Sequence, residues 1–182
     1  MNSATKNLED DHVYILQLID TMEAMTKSSE PDISDLEDAV DLIKNFADGL
    51  HHAKEETLLF PLMAEHGFSM QQGPVAMMLH EHTQGRAFVK EMTENIESFK
   101  NGDLSALALV YRNMLGYGEL LRNHISKENN VLFRMADQAL LKEDQEFLFK
   151  QFEEIENRGI SNHQKKDFIA KIEKLMQVYN PS

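Results

Sequence analysis

Two distant stretches of this chain carry one pattern. His51-His52-Ala53-Lys54-Glu55-Glu56-Thr57-Leu58-Leu59-Phe60 and His124-Ile125-Ser126-Lys127-Glu128-Asn129-Asn130-Val131-Leu132-Phe133 share His, Lys, Glu, Leu and Phe in register. In each, a glutamate follows a histidine at the fourth position, which on a helix puts both side chains on one face, a turn apart. Two such helices facing each other would gather imidazoles and carboxylates in one place. That grouping is enough to hold two metal ions with the glutamates between them. A buried carboxylate without compensation is costly or loses its charge. A chain that puts one on each of two inward faces is therefore constrained to give them partners.

The pattern sits inside a longer repeat. Asp11-His12 precedes His51 with its Glu55, and Glu81-His82 precedes His124 with its Glu128; the histidine separations are 39 and 42 residues. A repeated two-helix hairpin predicts an all-α, up-down-up-down four-helix bundle, an architecture that builds metal sites from inward side chains.

Breakers and caps place the elements. The first helix is expected from about Asn7 to Met25, with Leu8, His12, Ile15, Leu16 and Ile19 on one face. The second starts near Ser34, where Ser34-Asp35-Leu36-Glu37 resembles a capping box. It runs past Glu55, with a bend at Pro61 and an end at Gly67. Gly73-Pro74 opens the third, which stops near Asn101-Gly102, and the fourth begins after Asp103 or Ser105. Residues 1–138 are assigned to the bundle and 139–182 to a C-terminal helical extension packed on it. The extension has helices at about Lys142–Asn157 and Asn162–Val178.

Composition narrows the function. A chain of 182 residues suits one domain with a real core. The formal net charge of −13 argues against nucleic acid or an anionic membrane as partner. Cysteine is absent, which excludes disulfides, iron–sulfur ligation and thiol nucleophiles. The first residues lack the apolar stretch of a signal peptide, and no apolar run reaches membrane-spanning length. A cytoplasmic protein is expected.

Helical angles select the candidate ligands. With His51 at zero, Glu55 falls at about 40°, Leu58 at about −20° and Leu62 at about 20°. His52, near 100°, lies at the margin of that stripe as a further candidate, and Glu56, near 140°, is expected to face water. On the third helix His82 lines up with Met78, Gly85 and Val89, while His80 points to the opposite side. On the fourth, Tyr117, His124, Glu128 and Val131 share one stripe. A lone histidine on an apolar face is more often a hydrogen-bonded core residue than a ligand. Two carboxylates and four histidines on four inward stripes, arranged as a repeat, favour metal binding. Imidazole and carboxylate without thiolate suit iron, zinc or manganese. Six or seven ligands exceed one closed tetrahedral zinc site and suit a pair of octahedral ions, with di-iron ahead of manganese or zinc.

His12, His51-His52-x-x-Glu55, Glu81-His82 and His124-x-x-x-Glu128 together resemble the haemerythrin-like (HHE cation-binding) family. Leu59-Phe60-Pro61, Gly73-Pro74-Val75-x-Met77-Met78-Leu79-x-Glu81-His82-x-x-Gly85-Arg86 and His124-Ile125-x-Lys127-Glu128-Asn129 are similar to its bacterial branch. The resemblance covers about residues 8 to 136. It implies a non-haem centre of two iron ions (Fe2+ or Fe3+) with a bridging oxo or hydroxo group, meeting O2, NO or peroxide. The metal ligands it implies are His12, His51, His52, Glu55, His82, His124 and Glu128. Haemerythrin oxygen carriers place two histidines four apart on the third helix, and here Met78 occupies the earlier position. His52 is the candidate replacement. With His52 bound, about one of roughly twelve coordination positions stays open; without it, about two.

Three roles remain open at this stage: holding or sensing O2 or NO, redox turnover of peroxide or another substrate, and donation of iron for repair of damaged centres. The last ranks lower because relatives with that role carry an added cysteine-bearing segment. Asp11 and Glu81 either support neighbouring histidines by hydrogen bonds or are solvated, and Tyr117 is expected in the core. His66 and His163 are expected at the surface. The C-terminal helices are left as a cap, a partner contact or a homodimer interface.

Overall fold

The computed structural model describes residues 3–160 and 163–181. Its first rod is α1 (Ala4–Met25). The second runs from α2 (Ile33–Leu42) through π-helical segments Ile43–His52 and Glu55–Leu59 into α3 (Phe60–Glu65). The third is α4 (Gly73–Lys100). The fourth joins α5 (Ala106–Lys127), a π-helical segment Glu128–Leu132 and α6 (Phe133–Ala139). Two further helices, α7 (Lys142–Arg158) and α8 (Lys165–Tyr179), lie against this bundle. The architecture is the all-α four-helix bundle that the repeat predicts, with the expected C-terminal helical extension. The expected start of the last helix at Asn162 lies outside the described residues.

Local chemistry explains the boundaries. Ser3 Oγ accepts from the Lys6 amide and caps α1. Asp32, not Ser34, caps the second rod: its Oδ1 accepts from the Ser34 amide at 2.8 Å, so the helix begins one residue earlier than expected. Pro61 lies where the π turn gives way to α3, and the rod continues past it to Glu65. Gly159 turns the chain between α7 and α8 at φ 71°, and a Cβ there would lie 2.2 Å from the His163 carbonyl oxygen, so only glycine fits.

The π turns correct the expected inward stripes. A hydrogen bond from residue i+5 widens the turn and reduces the rotation per residue. The stripe below each glutamate therefore slips by one position. Leu59 is fully buried while Leu58 is only partly so. On the fourth rod Leu132 is 1% exposed, whereas Val131, expected inside, is 51% exposed.

The apolar interior is divided in two. One core gathers Ile15, Phe46, Met92, Met114 and their neighbours, closed by Phe168, Ile172 and Leu175 of α8. The other gathers Leu8, Phe60, Val75 and Phe133, closed by Leu148 and Phe152 of α7. Between them lies a layer of buried histidines and acids, at residues 11–12, 51–55, 82 and 124–128. Of the extension, α8 thus covers the first core, while α7 covers the second and reaches the first through Ile155. No helix among the described residues is long and apolar enough to cross a membrane.

Candidate metal centre

Each rod presents its polar residues to the middle layer. His12 comes from α1, His51, His52 and Glu55 from the second rod, His82 from α4, and His124 and Glu128 from the fourth, and all seven are buried. The slower rotation of the π segment Ile43–His52 lets two consecutive histidines turn inward, where an ideal α-helix would splay them.

The imidazoles meet in pairs. His12 Nε2 lies 3.0 Å from His51 Nε2, and His82 Nε2 lies 3.2 Å from His124 Nε2. The His52 ring stacks on His82 with centroids 3.8 Å apart. Glu128 spans both pairs, with Oε2 3.2 Å from His12 Nε2 and Oε1 3.2 Å from His124 Nε2. Glu55 Oε2 lies 3.8 Å from His51 Nε2 and 3.5 Å from His82 Nε2. Two groupings follow, each with ligand atoms within 4.8 Å of one another: His12, His51, Glu55 and Glu128, and His52, Glu55, His82 and His124.

Five oxygen acceptors fix the rings from behind. His12 Nδ1 donates to Asn129 (2.7 Å), His51 Nδ1 to Asp11 (3.3 Å) and His52 Nδ1 to Asp48 (3.2 Å). His82 Nδ1 donates to Glu56 (2.7 Å) and His124 Nδ1 to Glu81 (3.0 Å). A ring whose Nδ1–H is committed to an oxygen carries its lone pair on Nε2, aimed into the layer. The two lysines respect the repeat. Lys54 holds Asp11, which holds His51, and Lys127 holds Glu81, which holds His124. The recurring lysine of the sequence motif therefore anchors the acid that precedes the other hairpin histidine.

The layer fits cations. Two Nε2 lone pairs at contact distance repel unless a proton or a metal ion lies between them. A cation about 2.1 Å from two nitrogens at a right angle sets them about 3.0 Å apart. Both oxygens of Glu55, both of Glu128 and His52 Nε2 are buried without a hydrogen-bond partner, a condition proteins avoid unless something else satisfies such groups. Charge follows the same logic. Burial, then the Glu128 charge, pushes the Glu55 carboxyl well above its usual range. Burial also pulls on Glu128, but His124 and His12 outweigh it and hold that carboxyl well below. Burial lowers His51 to about 4, and drives His52 well below the ordinary histidine value with help from His82. His124 goes the other way, to about 9, because Glu128 and Glu81 overcome its burial.

Several supporting residues escape sequence reasoning. Asp48 carries no signal that distinguishes it from other helix-surface residues, and Asn129 stands out only as the last residue of the motif shared with the family. Glu56, expected in water, is half-buried and holds both His82 and Arg86, whose Nη2 is 2.7 Å away. Arg86 also reaches Asp48, so one guanidinium ties together the acids behind His52 and His82. Asp11 and Glu81 are hydrogen-bond partners of ring nitrogens, not solvated residues. Tyr117 is buried as expected, and its ring faces Gly85, where a Cβ would sit 3.6 Å away. Together with Asp48, His52, His82 and Arg86, these two residues line a cavity of about 60 Å3. Sites for larger organic ligands run to several hundred Å3, so this cavity suits a diatomic molecule or water. A concavity of about 690 Å3 between α4 and α5 meets the layer only through the outer pair Glu81 and Lys127 and is not its chamber. His80 is exposed, as its angle predicts.

Comparison with known proteins agrees with this geometry. Iron-sulfur cluster repair protein YtfE of Cronobacter sakazakii is 35% identical over 89 residues, 47% of this chain and 40% of that protein. The proteins of the same name from Edwardsiella ictaluri and Escherichia coli K12 are 30% and 33% identical over the same lengths and shares. The chain thus matches less than half of these curated relatives. No solved structure matches it. The Hemerythrin HHE cation binding domain matches residues 3–136, which include all seven inward histidines and glutamates. With nearly three quarters of its length inside that match, the chain belongs to the hemerythrin HHE cation-binding family.

Proposed function

We propose that the chain holds two iron ions in the polar layer and binds a small oxidant there, O2 or NO in the first instance. His12 and His51 would hold one ion, His52, His82 and His124 the other, and Glu55 and Glu128 would bridge them. The observation that carries this reading is the commitment of five Nδ1 atoms to oxygen acceptors, which leaves five Nε2 atoms and two unsatisfied carboxylates converging on one layer. When bound, iron supplies open coordination positions and a redox couple matched to O2, NO or peroxide.

The remaining work belongs to the protein. The Nδ1 hydrogen bonds orient each ring and raise its basicity. The two apolar cores exclude bulk water. The cavity beside His52, His82 and Tyr117 admits a diatomic and rejects larger molecules. The decisive experiment is metal analysis of the purified protein with optical spectra under air, argon and NO. Two irons per chain, with bands that appear with air or NO and vanish under argon, are expected. A protein without iron, or an iron protein indifferent to both gases, refutes the reading.

A second reading is iron delivery for repair of damaged centres, favoured by the similarity to iron-sulfur cluster repair proteins. Transfer of iron to a cluster-depleted iron–sulfur protein, faster than from free iron at equal concentration, would select it. Sustained O2 evolution from peroxide, many turnovers per site, would select a redox enzyme instead.

A further inference from the structure

The C-terminal extension does more than cover the cores. Lys54 is fully buried, and its Nζ lies 2.6 Å from Asp11 Oδ2, 2.8 Å from Glu156 Oε1 and 2.7 Å from Asn7 Oδ1. Lys165 Nζ lies 2.6 Å from Asp11 Oδ1 and 3.1 Å from Glu156 Oε1. The four charges close a ring: Lys54, Asp11, Lys165, Glu156 and back to Lys54. Signs alternate around it, so each charge touches two of opposite sign. The bundle contributes one cation and one anion, and the extension contributes the other two. Asp11 is the same residue that accepts from His51 Nδ1.

The other half of the repeat has no such cover. Glu81 and Lys127 form the equivalent pair behind His124, and the Lys127 side chain is 39% exposed against 0% for Lys54. The duplicated hairpins are therefore alike in their inner residues and different in their outer ones. Both carboxylate oxygens of Asp11 are pinned by ammonium groups, one from each part of the molecule.

We infer that Glu156 and Lys165 are positioning residues for the metal centre: by closing the ion ring they fix Asp11, Asp11 fixes His51, and retention of the ion held by His12 and His51 depends on docking of the extension. The inference rests on the metal reading of the layer. Groups that orient a metal-binding histidine from behind are worth roughly 10- to 100-fold in metal affinity, and this pair acts one step further out. About tenfold is the effect expected.

The test uses full-length, iron-loaded protein and an excess of a chromogenic iron chelator. In Glu156→Gln and Lys165→Gln one of the two ions should leave about tenfold faster than in wild type, with the other unchanged. Lys171→Gln is the control, since it removes another contact between extension and bundle, Lys171 Nζ to Asp41 Oδ2 at 3.6 Å, which involves no member of the ion ring. It should release iron as wild type does. In the metal-free proteins, the ring nitrogen resonances of His51 should move in the first two variants and stay in place in the third. Wild-type release with an unmoved His51 ring overturns the inference. So does equal acceleration in Lys171→Gln, which would mean that general bundle stability sets the rate. If Glu156→Gln fails to fold, Lys165→Gln, altered at a partly exposed side chain, decides alone. A wild type that holds no iron refutes the metal reading instead, and the His51 resonances still decide the positioning role.

Discussion

The two central glutamates should respond to the same substitution with opposite signs once metal is removed. Glu55 is fully buried and neither of its oxygens has a donor. An unsatisfied buried acceptor costs about 1–3 kcal/mol. Burial and the Glu128 charge push the Glu55 carboxyl well above its usual range and so favour its neutral form, and the lower end applies, about 1 kcal/mol for each of the two oxygens. Glu55→Met removes both oxygens at similar volume and should stabilise the metal-free protein by about 2 kcal/mol, or roughly 4–8 °C in Tm at this size. Glu128 is different. Its oxygens also lack a hydrogen bond, but they lie within ion-pair reach, 3.2 Å from His12 Nε2 and 3.2 Å from His124 Nε2, and it is the charge that lifts His124 to about 9. Breaking a buried pair by deleting one partner costs about 3–5 kcal/mol, so Glu128→Met should lower the metal-free Tm by roughly 6–20 °C. In iron the two variants should agree, each losing both ions. Thermal unfolding with and without chelator, alongside iron analysis, gives all of these numbers. A metal-free Glu55→Met protein destabilised as much as Glu128→Met would show that Glu55 is satisfied within the fold, and the argument from its orphaned oxygens would fail.

Three further outcomes are expected. His80→Ala should leave iron content unchanged, because His80 is exposed on the far side of α4; stoichiometric iron loss would overturn the register of that helix. Gly85→Val should fill the cavity beside Tyr117, keep both irons and slow NO association at least several-fold in stopped-flow mixing; an unchanged rate would place the entry route elsewhere. Burial opposes ionisation of Glu156, but Lys54 and Lys165 outweigh it and hold its pKa below 4.5. A lowered carboxyl contributes stability that is present above its unfolded value and lost as pH falls through the folded one. Wild type should therefore lose more stability than Glu156→Gln on acidification below about pH 4.5, as read by thermal unfolding of the metal-free proteins.

Much of the inner layer was legible because a helix repeats a simple angle. His12, His82, His124 and both glutamates occupy the positions that 100° per residue assigns. What the sequence could not show was the change of pitch. Composition alone does not mark a π turn, since Glu55-Glu56-Thr57-Leu58-Leu59 and Glu128-Asn129-Asn130-Val131-Leu132 share little beyond the glutamate and the last leucine. The slip moved burial from Leu58 to Leu59 and from Val131 to Leu132, and the earlier π segment brought His52 inward beside His51. The supporting acids were hidden for another reason. Asp48 and Glu56 hold histidines through contacts that depend on where a neighbouring rod stands, and Arg86 joins them across two rods. Lys54 was the missed clue. It matched Lys127 in the motif, and a lysine kept in register within an inward-facing repeat has something buried to hold.

The division of the interior into two apolar cores has a mechanical consequence. Each core is oil from wall to wall, but every rod must pass through the hydrophilic waist between them, where helix joins helix through rings and acids and not through hydrocarbon. Cations at that waist would act as rivets between rods, and without them the rods would be joined there only by hydrogen bonds and ion pairs among the rings and acids. Emptying the centre should then loosen the molecule first at its middle, so that amide protons around residues 51–55 and 124–128 exchange sooner than those buried at either end.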